Sequence, residues 1–381
     1  MVRSMVCAVA VLTSVSATAQ EHDHSKMIMT PAPGWQFMQD GVIHFEYNDQ
    51  GSPRGGREFV APNWWMLMAQ RSTSRGTIVL SGMLSLDAAT VGSDGYREIF
   101  QAGEVFDGQP IIDRQHPHDF FMQTAATWSR SVSESTALSI TGAASGSPAL
   151  GPVPFMHRPS AFDNPMAPLS HHTFDATHIS YGVVTGGVSR GRWTVEGSVF
   201  NGREPDEHRW DFDFGPLDSV AGRVWFKPNA EWALQASTGH LVEPEQAEPG
   251  NIERTTASAS WTRTRGRDVS SITAGYGRND TSHGDRQAVF VEGARHTGHH
   301  TLYARLEVLQ PEFADTSSPL TALTVGGVRN VFTGSGLVGG FGGGVTFHFP
   351  PAELEPDYGP HPVSFQIFFR LRRAAPIMKM P

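Results

Sequence analysis

The chain has 381 residues, a formal net charge of −9 and 17 histidines, with 40 glycines and 26 prolines. Charges of both signs are mixed along it, which argues against nucleic-acid binding through basic patches. No later stretch approaches the ~18 consecutive apolar residues of a membrane helix, so the glycine, proline and 10% aromatic content point to many strands and turns.

Residues 1–19 read as a signal peptide. Arg3 is the positive n-region, Met5 to Val15 the apolar core, and Ala17-Thr18-Ala19 a small-residue cleavage site. Cys7 is discarded with it, leaving no cysteine for disulfide or thiolate chemistry. Residues 20–40 read as a flexible leader containing His and Met. Cleavage after Ala19 places His22 third, where a free amine, two backbone amides and an imidazole can enclose Cu(II) or Ni(II) in a square plane.

From residue 41 to 373 the chain is a succession of alternating segments with turn residues between them. In Thr177–Thr185, Ile179, Tyr181 and Val183 oppose His178, Ser180 and Gly182. In Arg192–Asn201, Trp193, Val195 and Val199 oppose Thr194, Glu196 and Ser198. In His300–Leu309, Leu302 and Leu306 oppose Tyr303, Arg305 and Glu307. The last segment is the clearest: Val363, Phe365, Ile367, Phe369 and Leu371 alternate with Ser364, Gln366, Phe368, Arg370 and Arg372. A period of two puts each set on its own face.

A soluble sandwich turns the apolar face inward and a membrane barrel turns it outward. Segment lengths near the ~9–11 residues of a tilted membrane strand favour the barrel. So do the aromatics near segment ends (Trp64-Trp65, Trp128, Trp193, Trp225-Phe226, Trp232, Tyr303, Phe347, Phe349). The expected fold is all-β: an antiparallel up-and-down transmembrane barrel of about 14–16 strands. The long links at 88–115, 145–175 and 202–216 are expected to fold partly into the lumen, and 374–381 is a C-terminal extension.

The segment from 113 to 218 carries the candidate chemistry. His116 and His118, two apart, share a face about 7 Å apart in an extended segment. Asp119, His157, His171, His172 and His178 complete a candidate metal site, and imidazole with carboxylate suits copper or zinc. His116, His118, Asp119, His171, His172 and His178 are expected to converge inside the barrel; the competing reading has the imidazoles bonding loop backbone. Glu196, Arg203, Arg223, Arg305, Glu307 and Arg370 are expected to line the lumen, either as opposing charge ladders that orient solutes or as charges that neutralise one another without selectivity. Glu204, Asp206, Glu207, Asp211 and Asp213 form an acidic run read as a solvated loop or a cation site at the mouth. Gly187–Gly191 matches the nucleophile-elbow string, but strand residues follow where that motif needs a helix, so it reads as a hairpin turn.

The signal peptide, the alternation and the last strand resemble those of bacterial outer-membrane porin-like barrels. The strings Gln115–Asp119, Pro154–Arg158, Ser170–His172 and Phe200–Asp206 resemble those of a narrower, largely uncharacterised bacterial family. That second resemblance implies a context of metal resistance, chiefly to copper. The expected partners are outer-membrane lipid, a small polar solute or metal ion, and a second copy of the chain. The leading reading is a non-enzymatic pore or binding barrel. A membrane-embedded hydrolase using the histidines, with Ser180 or Ser198 near His178, and a structural barrel anchoring a partner stay open beside it.

Overall fold

The structure, a computed structural model, describes residues 34–374 apart from His283 and Asp315. The signal peptide, His22 and the C-terminal extension from 375 onward lie outside the described residues. β1 (Trp35–Gly51), β2 (Gly56–Val60), β3 (Asn63–Thr73) and β4 (Gly76–Leu84) begin the sheet; β5 (Tyr96–Phe106) and β6 (Gln109–Gln115) pair only with each other. The wall resumes with β7 (Phe121–Ser131), β8 (Thr136–Gly146), β9 (Ser180–Arg190), β10 (Trp193–Phe200), β11 (Ser219–Phe226) and β12 (Trp232–Leu241). β13 (Ile252–Arg265), β14 (Asp268–Thr281), β15 (Gly284–Thr297), β16 (His300–Leu309), β17 (Leu320–Gly334), β18 (Leu337–Phe349) and β19 (Val363–Arg373) complete it.

Each wall strand runs antiparallel to its neighbours, and β19 returns to pair with β1 from Val42↔Arg372 to Gly51↔Val363. That pairing closes the sheet and leaves no edge. β2 and β3 are one interrupted strand, since both run against β1 with Pro62 at the break. Proline has no N–H for the ladder, and its carbonyl instead accepts from His44 N at 3.0 Å. Counted so, the barrel has sixteen strands. β1 starts at Trp35, six residues before the expected barrel start at residue 41, because its first half pairs fully with β3.

The apolar face points outward. Ile367 is 58% exposed while Gln366 beside it is 3% exposed, and Leu302 is 71% exposed while Arg305 and Glu307 are buried. Val195, Val199, Ile272, Val289 and Val291 are likewise exposed. Such a surface suits hydrocarbon rather than water, so this is a transmembrane barrel. Trp35, Trp65, Trp128, Trp193 and Trp232 stand on the outside, but Trp64, Trp225 and Tyr303 are buried inward, which corrects their assignment to interfacial girdles.

β9 corrects a second expectation. Tyr181 and Val183 are buried and Val184 and Val188 exposed, so the outward set has the opposite parity to the one expected. The residues preceding Ser180 are not strand: Ala176–His178 is a 3-10 turn, and the inward apolar side chains are covered by loop rather than lipid.

Short turns such as Gly191-Arg192, Gly266-Arg267 and Ser335-Gly336 close one end of the barrel. The connections 85–120, 147–179, 201–218, 242–251, 310–319 and 350–362 lie at the other. The first holds α1 (Asp87–Thr90) and the β5–β6 hairpin, and the second holds α2 (His171–Phe174). Their apolar side chains pack against inward wall residues: Phe155, Met156 and Ala161 with Trp64, Met66 and Met83, and Ile99, Phe100 and Phe174 with Phe290 and Leu309. The interior is therefore furnished with loop, as the long links suggested.

Candidate functional site

His116 and His118 lie in the extended run after β6, His171 and His172 open α2, and His178 ends the 3-10 turn before β9. All five rings meet inside the barrel. His116 lies 5.3 Å from His172 and 5.8 Å from His171 between ring centroids, and His171 lies 5.3 Å from His172. His178 is 5.2 Å from His171 and 5.4 Å from His118. One nitrogen from each of His116, His171 and His172 lies within 4.8 Å of the others, and all three residues are buried. A central ion at ordinary Zn–N lengths of about 2.0–2.1 Å holds its nitrogens ~3.3 Å apart, so small side-chain shifts bring these three into a coordination sphere.

The hydrogen bonds orient the rings. His171 Nδ1 donates to Asp175 Oδ1 at 2.6 Å, His118 Nδ1 to Asp87 Oδ2 at 2.7 Å, and His178 Nδ1 to the Asp175 carbonyl at 2.8 Å. With the proton at Nδ1, Nε2 keeps a bare lone pair. All three Nε2 atoms are buried without a hydrogen-bond partner. Buried polar atoms are ordinarily satisfied, and a carboxylate or carbonyl on one imidazole nitrogen is the arrangement that prepares the other for a metal.

Burial holds His116 and His171 below the usual histidine range, with neighbouring imidazoles adding to the effect. Burial, then His171 and His118, push His178 down to about 3. These rings are neutral at physiological pH, as ligation requires. His172 differs: burial lowers it, but Glu204, Glu312 and Glu245 together raise it to about 10. Glu204 Oε1 is 3.2 Å from its Nδ1. Burial would raise Asp175, but His171 and Arg158 hold it below the carboxylate range.

A buried ion-pair chain fixes the loop that carries α2. Arg158 bonds Asp175 at 3.1 Å and Glu292 on β15 at 2.6 Å, and Glu292 in turn bonds Arg305 on β16 at 3.2 Å. Ser170 N and Oγ both donate to Glu307, at 3.0 and 2.7 Å. Gly103 (φ +127°) lies under the His172 ring so closely that a Cβ there would overlap it. The β5–β6 hairpin thus sets the position of that ring.

No protein-family model and no curated protein sequence matches this chain. Solved structures do match. A loop-deletion mutant of OmpT, an outer membrane protein of Vibrio cholerae, is 10% identical, covers 89% of this chain and 99% of its own, and superposes with a TM-score of 0.55. An anion-selective porin from Comamonas acidovorans is 9% identical over 89% of this chain and all of its own, with a TM-score of 0.54. The architecture is that of a porin-like outer-membrane barrel. At such identity the likeness is one of fold.

The other residues singled out from the sequence take different places. Asp119 does not join the rings; it faces Arg209 (3.5 Å), which also binds Glu104, and burial raises the Asp119 carboxyl to about 8. Glu104 in turn lies 3.4 Å from His116 Nε2. His157 stands edge-on to Trp64 at 5.0 Å. Arg305 and Glu307 pin the loop to the wall rather than form an open charge ladder. Glu196 pairs with Arg223 at 3.1 Å, and Arg223 also donates to the Gly151 carbonyl at 3.1 Å. Arg370 reaches Asp163 and Asn330. Arg203 lies past the end of β10, half-buried against Asp218 at 3.0 Å, and is not a wall residue. Ser180 Oγ donates to Thr177 O, and Ser198 Oγ is engaged by Thr185 and Ala149 N, so neither hydroxyl is directed at His178. Gly191-Arg192 is the expected hairpin turn between β9 and β10.

Asp87, Glu104, Glu292, Glu245 and Glu312 were not identified from the sequence, and Asp175 and Arg158, although they stand in the histidine-rich stretch, were given no role in the site. Two of them had a signal. Asp175 stands four residues after His171 on one short helix, and Glu292 falls on the inward parity between Val291 and Gly293.

Proposed function

We propose that this chain works in the bacterial outer membrane as a porin-like barrel that binds, and passes or retains, small polar or metal-bearing solutes at a histidine site in its lumen. The site takes a divalent transition metal, zinc or copper, through His116, His171 and His172, with His118 and His178 adjoining. The observation that carries this is the convergence of buried imidazoles: His116, His171 and His172 each offer a nitrogen within 4.8 Å of the others, and His171, like the adjoining His118 and His178, has its Nδ1 held by Asp175 or Asp87 while its Nε2 meets no donor. Borderline imidazole nitrogens select zinc and copper over magnesium or calcium. A core of structural histidines would instead spend both ring nitrogens on backbone and hydroxyl groups.

Elemental analysis of protein purified from outer membranes without added metal tests this. At least one equivalent of zinc or copper is expected with the wild-type chain, and about one equivalent fewer with His116→Ala/His171→Ala. Folding of the variant is checked by its heat-modifiable migration. A metal-free wild type that takes up neither ion on addition overturns the reading, as does a variant that keeps the full wild-type metal content. In planar bilayers, added Zn(II) should alter single-channel conductance in the wild type and leave the double variant unchanged.

A further inference from the structure

We infer that a second divalent-cation site stands beside the imidazole trio, formed by Glu245, Glu312 and His172, with His172 common to both. The inference rests on the reading of the trio given above and extends it toward the loop end of the barrel.

Glu245 comes from the connection 242–251, Glu312 from 310–319, and His172 from α2. One ligand atom from each lies within 4.8 Å of the other two. Three connections far apart in sequence therefore deliver two carboxylates and an imidazole to one point. His172 is 2% exposed; its Nε2 has no hydrogen-bond partner, and its Nδ1 meets Glu204 Oε1 at 3.2 Å. That is the feature that points to a ligand rather than to a mere collection of acids. The ring is aimed at both groups and held there by Gly103 beneath it.

The charge balance supports a cation. Glu204 adds a third carboxylate, 3.2 Å from His172 Nδ1, and its Oε2 is buried without a partner. The cationic side chain facing the three carboxylates is Arg254, whose Nε is taken by Asn279 at 2.8 Å and whose Nη1 is buried and unpaired. No ion pair joins Arg254 to these acids among the described residues. A divalent ion relieves three crowded carboxylates at once.

The donors define the ligand class. One nitrogen with two or three carboxylate oxygens accepts zinc, cobalt or manganese, whereas the inner trio of nitrogens favours zinc or copper. Glu245 and Glu312 are partly exposed and His171 is 0% exposed, so the oxygen-bearing site is the outer of the two. With one ring nitrogen assigned to each ion, the single His172 imidazole serves both. With both sites filled it bridges them as the imidazolate, its N–H proton passing to solvent.

Cobalt(II) titration of the full chain folded in detergent, followed by visible absorption, tests the arrangement. The wild type is expected to bind two equivalents with distinct spectra. Glu245→Gln/Glu312→Gln should bind one, with the nitrogen-rich spectrum, and His116→Ala should bind one, with the oxygen-rich spectrum. His172→Ala should weaken both at least tenfold. Saturation of the wild type at a single equivalent that His116→Ala abolishes overturns the second site and leaves the first standing. Two unchanged equivalents in Glu245→Gln/Glu312→Gln also overturn it. Should that variant fail heat-modifiable migration, Glu312→Gln alone decides by the same count. Failure of the trio shows separately, as His116→Ala binding identically to wild type.

Discussion

Arg158 is 2% exposed and meets two carboxylates from different parts of the chain, Asp175 in the loop and Glu292 on the wall. The charges are buried, so what matters is completeness: removing one partner strands the others. Arg158→Met removes the cation between Asp175 and Glu292, leaving Asp175 to His171 and Glu292 to Arg305, and breaking a buried ion pair in this way typically costs about 3–5 kcal/mol. The expected result is a lower unfolding midpoint in denaturant and loss of bound metal, because Asp175 also orients His171. Retention of wild-type stability would show that the chain of ion pairs does not secure the loop. Glycine has an equally local role at Gly342, where an added Cβ would overlap the ring of Phe368 lying on the inner wall. The outward face follows a different rule. Ile367→Arg places a charge toward hydrocarbon and costs ~2–4 kcal/mol near the midplane, so folded yield in membranes should fall sharply, and more than for Gln366→Arg on the inward side.

Among the elements, the β5–β6 hairpin and the 147–179 connection determine what the lumen can do. Neither has a continuous backbone ladder to the wall; side chains hold them. The hairpin adjoins β1 through Asn48 and Gln50, whose amide groups bond Arg97 O at 2.7 Å and Ile99 N at 3.2 Å. Asp113 Oδ1 accepts from Phe100 N at 2.9 Å and braces the hairpin internally. Replacing residues 96–115 with a short Gly-Ser link should leave the sixteen-strand wall intact while widening the lumen. Single-channel conductance is then expected to rise several-fold and the proposed metal binding to be lost, since His116 loses its placement and Gly103 is removed from beneath His172. Unchanged conductance in a correctly folded deletion would mean that the hairpin does not narrow the pathway.

At the scale of the molecule, closure depends on one seam. β1 and β19 are the ends of the described chain, and Phe45 lies opposite Phe369 across their pairing. Both face lipid, and the mature chain is expected to lack cysteine, so Phe45→Cys/Phe369→Cys introduces the sole pair. Opposed side chains in an antiparallel ladder have Cβ atoms about 4.5–5.5 Å apart, close to disulfide range. An intramolecular crosslink, seen as faster non-reducing gel migration, is the expected result. A chain that crosslinks only between molecules would contradict the closed barrel.

The alternation of β10, β14, β16 and β19 reveals the barrel in the sequence, because a strand between lipid and a polar interior must change character at every residue. The same reasoning inverts β9. There a loop covers the inner wall with apolar side chains, so Tyr181 and Val183 can be apolar and inward at once. Periodicity records polarity, not which neighbour supplies it. The meeting of the histidines could be anticipated from their density between 116 and 178, but the route differed: His178 reaches the interior from a 3-10 turn, not as a strand residue of lumen parity. Which acids serve them could not be read along the chain. Asp87 and Glu104 belong to one connection and Glu204, Glu245 and Glu312 to three others, and only closure of the sheet, with its loops folded over one lumen, brings them to the same rings. Local pattern determined the wall; long-range packing of irregular segments decided the site.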